Sequence, residues 1–287
     1  DVYKRQIFYT ANVIKQCLSL SKMEGTPNLN VNFNHFKTSR HFSRLLSRVE
    51  SQDMLSSTIM LLKLIFMVDY VLFHLIQRNY FKYQEEIMSC YDYISTLDNH
   101  YSLALYRSTL DTYCEPEISN CKKGVYFQNL KHPLIDEDIA IANDLDISKN
   151  ILLTGSNASG KSTFMKAVAL NLIMSQNLHT TTASSFKCHS VYVITSMANA
   201  DDVLSGNSYF MAELKSIRRL FNIHSKEMIY CFIDEIFKGT NTTERIAASE
   251  SVLSFLYHTP NYKVIAATHD IEPVSYTHLT LPTICSV

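Results

Sequence analysis

The apolar positions of this chain follow one period in its first part and another in its second. Between residues 53 and 110 there is neither glycine nor proline, and apolar side chains recur at steps of three and four. The recurring positions are Tyr80, Tyr83, Ile87, Tyr91, Ile94, Leu97, Tyr101 and Leu105. This spacing is typical of one long amphipathic helix whose aromatic stripe packs in a helical core.

After Cys114-Glu115-Pro116 the apolar residues come in short runs separated by turn residues. Ile151–Leu153, Ile229–Ile233 and Val264–Ala267 are too short for helices and predict buried parallel strands. The stretch from 163 to 178 has no glycine or proline and predicts a helix between the first two strands. The pattern predicts an α/β fold, a mostly parallel sheet flanked by helices, preceded by an all-α region. Any ligand is expected at the carboxyl ends of the strands.

The composition limits the classes of function. The 287-residue chain is 46% hydrophobic, as in a globular protein, and its formal net charge of −1 provides no overall basic field for nucleic acid. A DNA contact would need a local patch. Arg40, Arg44 and Arg48 share one face of a predicted helix, which is either such a stripe or a solvated face.

The cysteines and the most apolar stretch predict neither a zinc site nor a membrane span. The seven cysteines include no C-x-x-C pair, which favours free thiols in a reducing cytosol. The apolar stretch from 54 to 76 contains Lys63, Asp69 and His74, so we predict a core helix and no membrane contact. No signal peptide is visible.

A glycine-rich loop carries the strongest chemical signal. The segment 155–162 fits G-x-x-x-x-G-K-[ST] between a predicted strand and a predicted helix, which is the pattern of a P-loop NTPase. The backbone N–H groups of such a loop and the helix N-terminus bind phosphates. Lys161 is predicted to bind the β- and γ-phosphates, and Ser162 to bind Mg²⁺. The phosphate-binding residues are predicted to be Gly155, Ser156, Asn157, Ala158, Ser159, Gly160, Lys161, Ser162 and Thr163.

Two further motifs follow the other predicted strands. Asp234, at the end of the second strand, is predicted to hold Mg²⁺, and the adjacent Glu235 to orient or polarise the attacking water. His269, at the end of the third strand, is predicted to hydrogen-bond the γ-phosphate. Small residues at 204–208 favour one more phosphate contact. Four of only six glycines fall in these motifs: Gly155, Gly160, Gly206 and Gly239.

In this order, the motifs resemble those of the MutS family of DNA mismatch repair ATPases, whose ATPase domain is of the ABC type. Residues 154–163 resemble T-G-x-N-x-x-G-K-S-T, and residues 200–213 resemble A-D-D-x-x-S-G-x-S-T-F-M-x-E. Residues 234–241 resemble D-E-x-x-R-G-T-S, residues 267–269 A-T-H, and residues 131–134 R-H-P-x. The similarity covers about residues 112–272. The preceding helices are similar in character to the family's lever and core helices.

The resemblance implies more than the motifs do by themselves. It implies a homodimer, or a pair with a related subunit, in which Ser208 contributes in trans to the partner's ATP site. It also implies a Mg²⁺-dependent ATPase that controls a clamp on double-stranded, mismatched DNA, possible downstream repair factors, and a bacterial-type, nucleoid-associated protein of the cytoplasm. Departures from the family pattern are Asn207 for Arg, Lys238 for Arg, Asn241 for Ser, and Ala140 where an aromatic often stacks on adenine.

Four segments follow from this interpretation. Residues 7–111 are expected to be a helical lever and core region, and residues 112–273 a MutS-type ABC ATPase domain truncated at its C-terminus. Residues 1–6 and 274–287 are expected to be translated adapter sequence. Residues 1–6 are the translation of GATGTGTATAAGAGACAG, a transposon end used in preparing sequencing libraries, and residues 274–279 are the translation of its reverse complement in one frame.

Other classes of protein share some of these motifs. An ABC transporter subunit normally has D-E-P where this chain has Asp234-Glu235-Ile236. An SMC-type ATPase inserts a long coiled coil between Lys161 and Asp234, for which there is no room here. Within the MutS family, the alternative to mismatch repair is a paralogue without mismatch reading that acts on branched nucleic acid or ribosomes. An ATP-gated scaffold without turnover is less consistent with the presence of Lys161, Asp234 and Glu235.

Overall fold

The chain divides into two compact units, one from Asp1 to Leu105 and the other from Tyr106 to Val287. The computed structural model describes residues 2–37, 65–119, 124–155, 159–197, 209–223, 225–234, 237 and 241–268. Arg40, Arg44 and Arg48 lie outside these ranges, so the predicted basic stripe stays a prediction.

The first unit consists of helices over the residues that the structure describes. They are α1 (Val2–Leu20), a short 3-10 helix (Phe33–Phe36), α2 (Val68–Lys82) and α3 (Gln84–Ser108), whose last residues belong to the second unit. Residues 38–64 are not described, so the all-α character of the whole region 7–111 stays a prediction. No described helix is long and apolar enough to cross a membrane.

The single long helix predicted across residues 80–105 is wrong at Tyr83. This residue lies between α2 and α3 with φ −118° and ψ 33°, outside the helical region. Upstream, α2 begins only at Val68, directly after Met67, whose φ of 45° is left-handed. The stretch without glycine and proline is therefore not one continuous helix.

The aromatic stripe is also only partly right. Tyr101 is 69% exposed, and Tyr91 and Leu105 are exposed as well. The buried face of α3 instead carries Ile87, Cys90 and Tyr93. Ile87 packs in a small cluster with residues of α1 and the 3-10 helix. Cys90 and Tyr93 pack in a second small cluster with α1. These contacts determine which apolar face of α3 is buried.

The second unit contains eight described strands and three further helices. The strands are β1 (Glu117–Ile118), β2 (Val125–Leu130), β3 (Asn143–Ile147), β4 (Ile151–Thr154), β5 (Ser185–Cys188), β6 (Val191–Ser196), β7 (Met228–Asp234) and β8 (Tyr262–Thr268). The helices are α4 (Lys161–Asn177), α5 (Tyr209–Phe221) and α6 (Thr242–His258).

The predicted parallel sheet is confirmed. Its order is β4-β8-β7-β6, and all three pairings are parallel. The three strands predicted from sequence are β4, β7 and β8, and they lie side by side. The helix predicted at 163–178 is α4, two residues earlier at its start. Because the strands are parallel, their carboxyl ends all meet at one edge of the sheet.

Alternate residues of the parallel strands face two different cores. In β7, Tyr230 and Phe232 lie in one buried cluster, while Cys231 and Ile233 lie in the other. The first cluster is completed by α4 and by a second sheet, and the other by α5 and α6. The sheet is therefore covered on both faces, which explains the continuous apolar runs within β4, β7 and β8.

The second sheet was not predicted from the sequence. It has the order β1-β5-β2-β3, with β2 antiparallel to both β3 and β5. Its strands have polar residues at exposed positions, so they lack the continuous apolar runs by which β4, β7 and β8 are recognisable. Phe127 and Phe186 stack within this sheet, with ring centroids 6.1 Å apart, and belong to the same core as α4.

Candidate nucleotide site

The glycine-rich loop leaves β4 through backbone that only glycine adopts readily. Gly160, at the N-cap of α4, has φ 80°, and a Cβ added there would meet no atom within 4 Å. The requirement at Gly160 is therefore conformational and not steric. At Gly155, with φ 155°, a Cβ would lie 3.0 Å from Ser159 Oγ, so both conformation and space favour glycine.

Lys161 begins α4, and its side chain turns back over the loop. Its Nζ donates a hydrogen bond of 2.8 Å to the Gly155 carbonyl oxygen and lies 3.4 Å from Ser159 Oγ. Ser162 and Thr163 follow in the first turn, where no side chain caps the helix. The first N–H groups of a helix carry a partial positive charge, so ammonium and helix end together favour an anion here.

The strand register brings the other predicted elements to the same edge. Thr154, the last residue of β4, pairs with Thr268, the last residue of β8. Asp234, the last residue of β7, pairs with Ala267 of β8. Only β8 separates the strand of the phosphate loop from the strand of Asp234, a span of about 10 Å at the usual strand spacing.

The predicted site residues divide into two groups. Gly155, Ser159, Gly160, Lys161, Ser162, Thr163 and Asp234 are described, and they lie at the carboxyl edge of the parallel sheet or in the first turn of α4. Ser156, Asn157, Ala158, Ser208, Glu235 and His269 lie outside the described residues. The roles of the second group stay predictions, although Glu235 directly follows Asp234 and His269 directly follows Thr268.

A buried amide on α4, missed from the sequence, anchors the phosphate-loop helix to its surroundings. Asn171 is fully buried, and its Nδ2 donates to the carbonyl oxygens of Lys131 (3.2 Å) and Ala167 (2.9 Å). Its Oδ1 accepts a bond of 2.8 Å from the backbone N–H of Thr182. A polar residue within an apolar helix pattern was the available signal, because a buried amide needs partners.

The segment Lys131-His132-Pro133 lies beside the same helix, α4. His132 Nδ1 accepts a bond of 3.2 Å from the backbone N–H of Leu134, so the remaining ring proton of the neutral imidazole is on Nε2. Burial, together with the positive charge of Lys166 on α4, lowers the pKa of His132. The neutral ring therefore keeps its Leu134 contact at physiological pH.

The described donors suit a magnesium ion that takes most of its ligands from phosphate and water. Ser162 and Asp234 offer one hydroxyl and one carboxylate. Among the described residues, no group of three or more His, Cys, Asp or Glu side chains is placed to hold a metal. Mg²⁺ commonly binds proteins through one or two carboxylates plus substrate phosphates, so this sparse set fits it.

Comparison with known proteins identifies the same region. Residues 151–282 match the family MutS domain V. Over 173 residues the chain is 31% identical to the DNA mismatch repair protein MutS of Fusobacterium nucleatum, covering 56% of the chain and 19% of that protein. It is 30% identical over 215 residues to MutS of Staphylococcus saprophyticus, covering 70% and 23%. For MutS of Clostridium kluyveri the identity is 32% over 191 residues, covering 61% and 21%.

The chain spans about a fifth to a quarter of the length of these relatives. The family match begins at the first residue of β4 and includes the phosphate loop, α4, Asp234 and β8. Site geometry and sequence similarity thus coincide on the parallel-sheet half of the second unit. This region of the chain, residues 151–282, belongs to the MutS family.

Proposed function

We propose that this chain is the ATP-binding and ATP-hydrolysing part of a DNA clamp that senses mismatched or damaged DNA in mismatch repair. The observation that supports this most directly is the carboxyl edge of the parallel sheet. There, a phosphate loop and Asp234 are separated by a single strand, within a region that matches MutS domain V.

Phosphate binding rests on Lys161 and the start of α4. The Lys161 ammonium is bonded to the Gly155 carbonyl oxygen at 2.8 Å and provides a positive charge at the loop. In the proposed complex it exchanges this neutral acceptor for oxygens of the β- and γ-phosphates, so that donor and acceptor are both charged. The N–H groups of the loop and of the first turn of α4 bind the remaining phosphate oxygens.

The roles in hydrolysis are assigned to different residues at or after the ends of the strands. Ser162 and Asp234 would hold Mg²⁺, which neutralises the charge on the phosphates when bound. Glu235, which directly follows Asp234 in the sequence, orients or polarises the attacking water. His269 follows Thr268 on the neighbouring strand and donates a hydrogen bond to the γ-phosphate.

A second copy, or a related subunit, completes each site. Ser208 directly precedes α5 and is proposed to bind the γ-phosphate held by the partner's Lys161. The proposed macromolecular ligand is double-stranded, mismatched DNA, with downstream repair factors as further partners. With a net charge of −1, the chain depends on local patches or on other parts of the protein for DNA affinity. The relatives named above are mismatch repair proteins, which favours this function over a paralogue without mismatch reading.

The composite site is tested by mixing two inactive chains. Lys161→Ala removes the cation of its own loop, and Ser208→Ala removes the group given to the partner. A heterodimer of the two has one intact site, so mixing should restore activity while each variant alone stays inactive. The measurement is the steady-state ATPase rate at increasing protein concentration. Absence of rescue, with a rate strictly proportional to the concentration of a monomeric wild-type chain, would show that each chain works alone.

A further inference from the structure

Phe237 has a backbone conformation that aromatic residues rarely adopt. Its φ is 59°, in the left-handed region where a Cβ crowds the carbonyl oxygen that follows it. It lies three positions after Asp234, in the segment that connects β7 to α6. Such outliers persist only where the surrounding structure holds them, and they cluster at functional sites.

The buried side chain of Phe237 holds the backbone in this conformation. It is 6% exposed and belongs to the buried cluster that includes Ile233 of β7 and Leu253 of α6. The chain therefore reaches the edge of the sheet at Asp234 and is back in the core three residues later. Downstream, Asn241 Oδ1 caps α6 by accepting a bond of 2.9 Å from the backbone N–H of Glu244.

We propose that Phe237 is a positioning residue for Glu235. Glu235 is joined to Asp234 by one peptide bond and to Phe237 by two, so these neighbours limit where its backbone lies. Asp234 is fixed by its register with Ala267, and Phe237 by its buried ring. This inference rests on the proposed function, because it gives Phe237 a role only if Glu235 acts on the attacking water.

Substitutions at Phe237 distinguish the contribution of its buried ring from that of its backbone conformation. Phe237→Gly accepts a φ of 59° without strain but loses the ring, whereas Phe237→Leu keeps a large apolar side chain. We expect Phe237→Gly to lower kcat by about ten- to a hundredfold, as small misplacements of catalytic groups do. KM and the Kd for ATP should stay within about twofold, because phosphate binding belongs to residues 155–163. Phe237→Leu should retain most of kcat.

Two comparisons distinguish positioning from a loss of stability. Leu256→Ala removes a fully buried side chain of the same cluster at the far end of α6, and it should lower Tm without changing kcat. In a Glu235→Gln background, Phe237→Gly should have no further effect on the residual rate, because the group that it positions is already gone. Rates are measured in the complete protein, well below every Tm.

The two proposed roles can fail independently of each other. If Phe237→Gly lowers only Tm, as Leu256→Ala does, or if its effect persists undiminished beside Glu235→Gln, Phe237 does not act through Glu235 and the inference is wrong. If Glu235→Gln turns over ATP at the wild-type rate, the proposed catalytic role of Glu235 fails instead, whatever Phe237 does.

Discussion

The two units of this chain bury their apolar side chains in different ways. In the second unit, the strands of one sheet supply both cores by turning alternate residues to opposite faces. In the first unit, α3 meets α1 and the 3-10 helix in two small clusters, one around Ile14 and Ile87 and one around Cys17 and Cys90.

The difference explains why one unit is easier to interpret from its sequence than the other. Strands that are buried on both faces of a sheet, such as β7, need apolar residues at successive positions, and the site must lie where those strands end. An amphipathic helix buries only one of its faces. Where a helix has two overlapping apolar faces, the sequence does not show which of them is buried. The same asymmetry predicts that removing equivalent side chains from the two units has unequal consequences.

The largest expected effect is on the core of the second unit. Ile265 of the central strand β8 and Ile14 of α1 are both almost fully buried, at 1% and 0% exposed. Ile265→Ala should lower the free energy of unfolding of its unit by about 4 kcal/mol, and Ile14→Ala should lower that of the helical unit by about 2 kcal/mol, because fewer atoms surround its cavity. Urea titrations followed by circular dichroism measure both. Equal losses would contradict the contrast between the two cores.

A smaller effect is expected on the affinity for nucleotide. Lys161→Ala should weaken ATP binding by about 2 to 3 kcal/mol, roughly 30- to 150-fold in Kd, because the phosphates lose a charged donor. The exposed Lys149, two residues before the start of β4 and so at the opposite end of that strand from the loop, provides the control. Lys149→Ala should bind ATP like the wild-type chain in calorimetry. Unchanged affinity in the Lys161 variant would exclude this loop as the phosphate site.

The motifs and the parallel sheet were predictable because each depends on local sequence. β4, β7 and β8 are continuous apolar runs, and the residues that end them have the chemistry of the site. The second sheet was not predictable in this way, because polar residues interrupt the apolar ones in β2, β3 and β5. Tyr83 ends α2 without a glycine or proline, and Phe237 has a positive φ without being glycine. In both places tertiary packing overrides the local preference.

The smallest expected effect distinguishes the two units by how readily each opens. Four buried cysteines act as reporters, Cys17 and Cys90 in the helical unit and Cys188 and Cys231 in the second unit. Burial raises the pKa of all four thiols, to about 12 for Cys90 and Cys231. Since the thiolate is the reactive form, labelling at about pH 8 requires the unit to open first.

The half-buried Cys114 serves as the internal standard for a thiol that needs no large opening. With Cys121 and Cys285 changed to serine, we expect Cys114 to react first with a maleimide, then Cys17 and Cys90, and last Cys188 and Cys231. The reason is that the small clusters around α3 cost less to separate than the two larger cores of the second unit, which contain Cys188 and Cys231. Mass spectrometry of peptides taken over time, in low concentrations of urea, gives the order. If Cys231 is labelled before Cys90, the sheet opens more readily than the helices, and the difference between the two cores does not govern their stability.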